Sequence, residues 1–439
     1  MKNVRLRVCA VSVAAVLGLS ACGASASDVQ ETDLTAAPEY EGTLSILTKF
    51  GGEPLSPYFE DLAAEYKALH PDVDFEIIQE TDQSIKDKTK SLVASSALPD
   101  IYFSWTGDYA TKFIDGGLAA DLSPVLSPDS EWGSTFGAAS LDAFSKDGKY
   151  YAVPLYNNGK FMGYNKSIFE AAGVEVPTTL EELIEACPKL EAYGVEPLAF
   201  GNKDGWPGLH FLQQLFAYNV PQDVLEKDFI PATATWEHPG YAKSLEEFQA
   251  VVQECTSTGS DSNGVLYSTA QQAQSAGQAA MYFQEVLEFD SVVTETSKIS
   301  REDFGIFALP VPEDVQDDPG ALEGSPEGMM VNARSPRQAL AVDFLKFVTS
   351  KTNAEVLAGP PFSQPSTIVG AVSDSTASPA VVEGITKLNE ASYLLGWLDA
   401  VTVPEVADAW LAGGEALVSG SETPEEVMNN VRAASDSVR

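Results

Sequence analysis

Between Thr43 and Trp105 the hydrophobic pattern alternates between a period of two and a period of 3.6. That alternation constrains the fold more than any other feature of the chain. Residues 43–48 (TLSILT) read as a short strand that ends at Phe50-Gly51-Gly52. Phe59, Leu62, Ala63, Tyr66 and Leu69 then recur at the spacing of one buried helix face, and His70-Pro71-Asp72 stops the helix. Val73, Phe75 and Ile77 alternate with Asp74 and Glu76 as a second strand. A helix over 84–96 and a third strand over 99–105 follow. Strand–helix–strand at these lengths predicts right-handed βαβ units and a mostly parallel sheet, hence an α/β fold. Ligands of open α/β sheets bind beyond the carboxyl ends of strands. Two such ends, at 50–53 and 105–108, make Glu53, Trp105 and Asp108 candidate ligand contacts.

The N-terminus reads as an address. Lys2, Arg5 and Arg7 precede an apolar run from Val8 to Leu19, which is too short to cross a bilayer and fits the h-region of a signal peptide. The run ends Leu19-Ser20-Ala21-Cys22, which resembles the bacterial lipoprotein signal. The resemblance implies removal of residues 1–21 and acylation of Cys22, a lipid anchor on the outer face of the cytoplasmic membrane. Residues 22–42 hold few large apolar side chains and are expected to be a flexible tether. Of the four cysteines, Cys187 and Cys255 remain once the signal and the lipid site are set aside. In an exported protein they are either a disulfide or two separate buried thiols.

Acids outnumber bases 64 to 26, for a net charge of −38. This excludes non-specific nucleic-acid binding and a polybasic membrane patch. With only three histidines, no metal site is expected, and no cofactor.

Ala64–Val73, Ala97–Tyr102, Asp147–Pro154, Gly163–Lys166, Pro177–Leu183, Phe304–Pro310 and Ala339–Phe347, in that order, resemble segments of bacterial extracellular sugar-binding proteins, the solute receptors of ATP-driven importers, with Leu180 where that family usually has Trp. The resemblance implies two α/β lobes joined by hinge crossings near Val153, Leu309 and Pro360, with a ligand cleft between them. Lobe 1 is then 43–153 with 311–359, and lobe 2 is 154–310 with 360–439. It further implies a monomer that captures a carbohydrate, an oligosaccharide, and hands it to permease subunits, with no catalysis.

A sugar site needs flat aromatics and short carboxylates or amides. Trp206, in the Gly-rich stretch Gly201–Gly208, reads as an exposed stacking platform. Tyr156, Asn157 and Asn158 follow the first crossing. Gln284 and Glu285 close a strand that resembles the family's cleft strand, and Glu327 lies in Gly324–Gly328, which resembles a Gly-rich cleft loop. Trp397 and Asp399 sit in a Gly- and Asp-punctuated segment. Trp410 reads as core, and His210 as a packed histidine. Two other functions compete. A two-lobed amine or metal-cation receptor would draw on the acidic charge. A glycoside hydrolase would need two suitably placed carboxylates. The chain carries none of the G-x-S-x-G, S-x-x-K, H-E-x-x-H or P-loop signatures.

Overall fold

The computed structural model describes residues 32–439 apart from Gln83 and Gln316. The expected signal peptide and Cys22 lie outside the described residues. β1 (Gly42–Thr48) runs parallel to both β2 (Val73–Gln79) and β3 (Ile101–Ser104), and lies between them. Helices α1 (Pro57–Leu69) and α2 (Ile85–Ala94) make the connections. Pro57 opens α1 at a position whose N–H would have no helical partner, and the helix buries Phe59, Leu62, Ala63 and Tyr66 along one face.

Past β3 the sheet departs from the mostly parallel expectation. The added strands are β4 (Ala152–Asn165), β5 (Glu196–Ala199), β6 (Ala279–Glu285), β7 (Phe304–Phe307), β8 (Leu322–Val331) and β9 (Leu394–Leu395). The order is β2-β1-β3-β8-β4-β6-β5, with β7 on β4 and β9 on β8. β8 is antiparallel to both β3 and β4, and β4 is antiparallel to β6. The reason is the path of the chain: β4 carries it out of the first lobe and β8 carries it back.

Each lobe has its own apolar core. The first gathers Leu44, Ile46, Phe59, Tyr102, Val153, Tyr156, Met329 and Phe344. The second gathers Met162, Leu183, Leu212, Trp236, Met281 and Trp410, with Phe161, Phe289 and Leu388 in an adjoining cluster. The change of core falls inside the long strands, between Tyr156 and Phe161 on β4 and between Leu322 and Met329 on β8. The expected passages near Leu309 and Pro360 therefore lie too early in the chain. Leu309 and Ala321 still pack in the second core, while Phe362, Ile368 and Ala371 still pack in the first. Trp410 is buried in the second core, where it meets Trp236 and Phe216. Cys187 and Cys255 are bonded to each other, with Cα atoms 5.1 Å apart, and pin two helices of the second lobe together.

Candidate functional site

The side chains of a strand alternate between faces, so Tyr156, Asn158 and Lys160 share one face of β4, and Glu323, Ser325 and Glu327 share one face of β8. All are buried where the two strands leave one lobe for the other. The Tyr156 hydroxyl donates to Glu327 Oε2 at 2.7 Å, and Asn158 Nδ2 donates to Glu285 Oε2 at 2.6 Å. Lys160 Nζ lies 3.3 Å from Glu285 Oε1. From the carboxyl end of β1, Lys49 Nζ reaches Glu327 at 2.6 Å and Asp82 at 3.0 Å. Burial works against the Lys49 charge, but Glu327, Tyr156, Asp82 and Glu285 together outweigh it and hold the ammonium well above its usual pKa.

The facing wall comes from α3 (Trp206–Asn219) and the short helix α4 (Leu398–Val401). Trp206 and His210 are one turn apart on α3 and share a face. Gln213, one turn further on, is fully buried and grips the segment before α4: its Nε2 donates to Gly396 O, and its Oε1 accepts from Leu398 N at 2.7 Å. This fixes Trp397 and Asp399. Asp399 pairs with Lys86 of α2 at 2.6 Å. Burial would raise its pKa, but Lys86 and His210 hold the carboxyl well below the usual range. The loop after β3 meets α4 at Gly107, whose φ is +70° and where a Cβ would fall 2.6 Å from Val401 Cα. Only glycine permits that approach.

The aromatic wall is crowded. His210 stacks on Trp397 with ring centroids 4.7 Å apart and planes at 21°, and Trp206 lies 5.2 Å from His210. Lys160 Nζ sits 4.4 Å from the centre of the Trp206 ring, and Lys86 sits 5.1 Å from Trp105. These groups enclose a cavity of about 210 Å³ lined by Lys49, Asp82, Lys86, Trp105, Asp204, Trp206, His210, Glu285, Glu327, Trp397 and Asp399. Among the described residues, Asp204 Oδ2, Trp206 Nε1 and Trp397 Nε1 are buried without a hydrogen-bond partner, while His210 Nε2 stands 3.6 Å from Asp399 Oδ1. Buried polar atoms are nearly always paired, so a set of unpaired ones around one cavity marks a place for a polar ligand. A larger cavity of about 660 Å³ lies beside Trp132 and Lys346 on the first lobe. There the indole N–H already donates to Thr349 at 2.9 Å, so the larger volume is the weaker candidate.

The cavity thus brings together Trp105, Trp206, Glu285, Glu327, Trp397 and Asp399 of the residues expected from sequence. Tyr156 and Asn158 stand behind it and orient its carboxylates. The others lie elsewhere. Glu53 is exposed and accepts from Ser56, Asp108 pairs with Lys112 along its own helix, and Asn157 accepts from Ser140. Gln284 is fully buried and donates to Gln274, because its neighbour Glu285 takes the cleft face of β6. Trp206 is half-buried at the start of a helix rather than exposed in a loop, and Gly324–Gly328 is strand interior rather than loop. His210 is packed, as expected, yet it also lines the cavity. Lys49, Asp82, Lys86 and Asp204 were not anticipated.

Residues 52–355 match the model of the bacterial extracellular solute-binding proteins. The chain belongs to this family. A Brucella abortus binding protein is 26% identical over 238 residues, 53% of this chain and 52% of its own length; the chain thus spans about half the length of that curated relative. The diacetylchitobiose-binding protein of Streptomyces coelicolor is 24% identical over 79% of this chain and 78% of its own. The maltotriose-binding protein of Pyrococcus abyssi is 32% identical over 31% of this chain and 29% of its own. A chitin oligosaccharide binding protein superposes with a TM-score of 0.81 at 20% identity, covering 91% of this solute-binding chain and 99% of its own. Maltose-bound MalE3 of T. maritima superposes at 0.75 and 17% identity, covering 90% and 100%. Both show the two-lobed fold of the solute-binding chain. Among its described residues no helix is long and apolar enough to cross a membrane.

Proposed function

We propose that this protein is a lipid-anchored extracellular receptor that captures a neutral carbohydrate, an oligosaccharide, between its lobes and delivers it to the permease of an ATP-driven importer. The observation that carries the reading is the set of unpaired buried donors and acceptors around an aromatic-walled cavity. Sugars offer many hydroxyls on an apolar ring and satisfy both kinds of wall. Trp105, Trp206, Glu285, Glu327, Trp397 and Asp399 contact the ligand, joined by Asp204 and His210. The receptor binds its ligand and does no chemistry on it. An amine or metal-cation ligand fits less well, because Glu285, Glu327 and Asp399 are already paired with the chain's own Lys160, Lys49 and Lys86. Maltotriose- and diacetylchitobiose-binding relatives support the oligosaccharide class.

The reading is tested by thermal denaturation against maltotriose, diacetylchitobiose, xylotriose and arabinotriose. A true ligand at 100 times its dissociation constant adds about 2.7 kcal/mol of stability and raises the melting temperature. No shift with any of these sugars at millimolar concentration contradicts it. The anchor is tested separately in cells. Cys22→Ser is expected to abolish incorporation of labelled palmitate and shift the protein out of the lipid-anchored fraction; a variant that still takes up the label removes the anchor from the account.

A further inference from the structure

Stacking on a sugar needs a free indole face, and the cleft leaves little of one. Lys160 Nζ covers the Trp206 ring at 4.4 Å, while His210 and Tyr267 crowd it at 5.2 and 5.1 Å. Lys160 is itself 1% exposed and tied to Glu285, so it has nowhere to withdraw. Trp397 is 3% exposed, with His210 stacked on it. What both indoles keep unused is the N–H: each Nε1 is buried without a partner, and each residue lines the cavity.

We propose that Trp206 and Trp397 read the ligand by their edges, each donating its indole N–H to a ligand oxygen, with the ring faces reserved for the chain's own Lys160 and His210. This rests on the sugar-receptor reading above and adds to it a specificity. The ligand must present two oxygen acceptors spaced to meet two fixed donors. An indole N–H only donates, so a hydroxyl replaced by a group that cannot accept, or a deoxy position, is rejected at these points.

Indole N–H groups without partners also occur at Trp236 and Trp410. Those two pack against each other, 5.4 Å apart, in the second core and do not line the cavity. They supply the control.

The test compares the parent with Trp206→Phe and Trp397→Phe by calorimetric titration of the tightest binder among the four sugars named above. Phenylalanine keeps an apolar ring and removes only the donor and part of the area. Edge reading predicts that each variant binds roughly tenfold more weakly, the scale of one hydrogen bond lost with its partner left unpaired. Trp206→Ala is then expected to be little worse than Trp206→Phe, and Trp410→Phe to bind like the parent. Face stacking predicts the reverse, with Trp206→Phe retaining affinity and Trp206→Ala losing it. Retention within about twofold, below the scale of one hydrogen bond, in Trp206→Phe overturns the proposal even if Trp397→Phe fails to fold. A parent that binds none of the sugars overturns the sugar reading and this inference with it.

Discussion

Replacing Lys49 with methionine is expected to cost the fold about 3–5 kcal/mol. The side chain is 11% exposed and its main partner Glu327 only 2%, so removing the ammonium leaves a carboxylate buried with the Tyr156 hydroxyl as its remaining donor. The loss concerns the unpaired charge rather than the value of the pair. Two further results follow from that. Adding Glu327→Gln to the Lys49→Met chain should recover most of the stability, because a neutral amide is far cheaper to bury. The penalty should also shrink at low pH. Burial already holds the Glu327 pKa above its ordinary value against the opposing pull of Lys49; without Lys49 it rises further, so the variant gains stability relative to the parent as pH falls through that raised pKa and loses it as pH rises. Urea denaturation of the three chains at two pH values measures all of this. A Lys49→Met protein as stable as the parent would show that the pair is not a closed, buried one.

The second large effect concerns the Cys187–Cys255 bond, which links residues 68 apart in sequence. In the chain-entropy account, opening a loop of that size gives back about 4 kcal/mol of denatured-state freedom. Both cysteines are fully buried among Leu183, Leu190 and Val251 in the second core. The Cys187→Ala, Cys255→Ala double variant is therefore expected to melt well below the parent, and the parent itself to lose stability when reduced. Mass spectrometry of unreduced protein should find the two peptides linked. Two freely alkylated cysteines in exported, natively folded material would contradict the bond.

The first three strands and their two helices were legible because their signals are local. Thr43–Thr48 and Val73–Ile77 alternate, and Phe59 to Tyr66 repeat at helical spacing, so neighbours a few residues away decide the structure. β8 was not legible. Gly324-Ser325-Pro326-Glu327-Gly328 has the composition of a loop, yet it is strand interior, with a bulge between Glu327 and Gly328. Pairing with β4 along the segment, and with β3 from Gly328 onward, overrides its weak local preference. The same burial places the return passage, expected near Leu309, inside β8. Within the site, Trp105 was legible from its position after a strand, Trp206, Trp397 and Asp399 from residue type in Gly-punctuated segments, and Glu285 and Glu327 only through the family resemblance. The choice between Asn157 and Asn158, or Gln284 and Glu285, depends on which strand face meets the cleft. Nothing local distinguishes Lys49 or Lys86 from a solvated lysine; only the approach of Glu327 and Asp399 does.

If a sugar binds in the cavity between the lobes, Asp204 is the side chain that reports it most cleanly. Its Oδ2 is buried beside Trp206 with no hydrogen-bond partner, so the folded protein does not rely on that atom. A bound sugar hydroxyl donating to it would form a charge-assisted hydrogen bond of about 1.5–3 kcal/mol. Calorimetric titration of Asp204→Ala with the sugar that most stabilises the parent should therefore show affinity lower by roughly tenfold or more, at an unchanged melting temperature. An Asp204→Ala protein that binds that sugar as tightly as the parent would place the ligand somewhere other than this cleft.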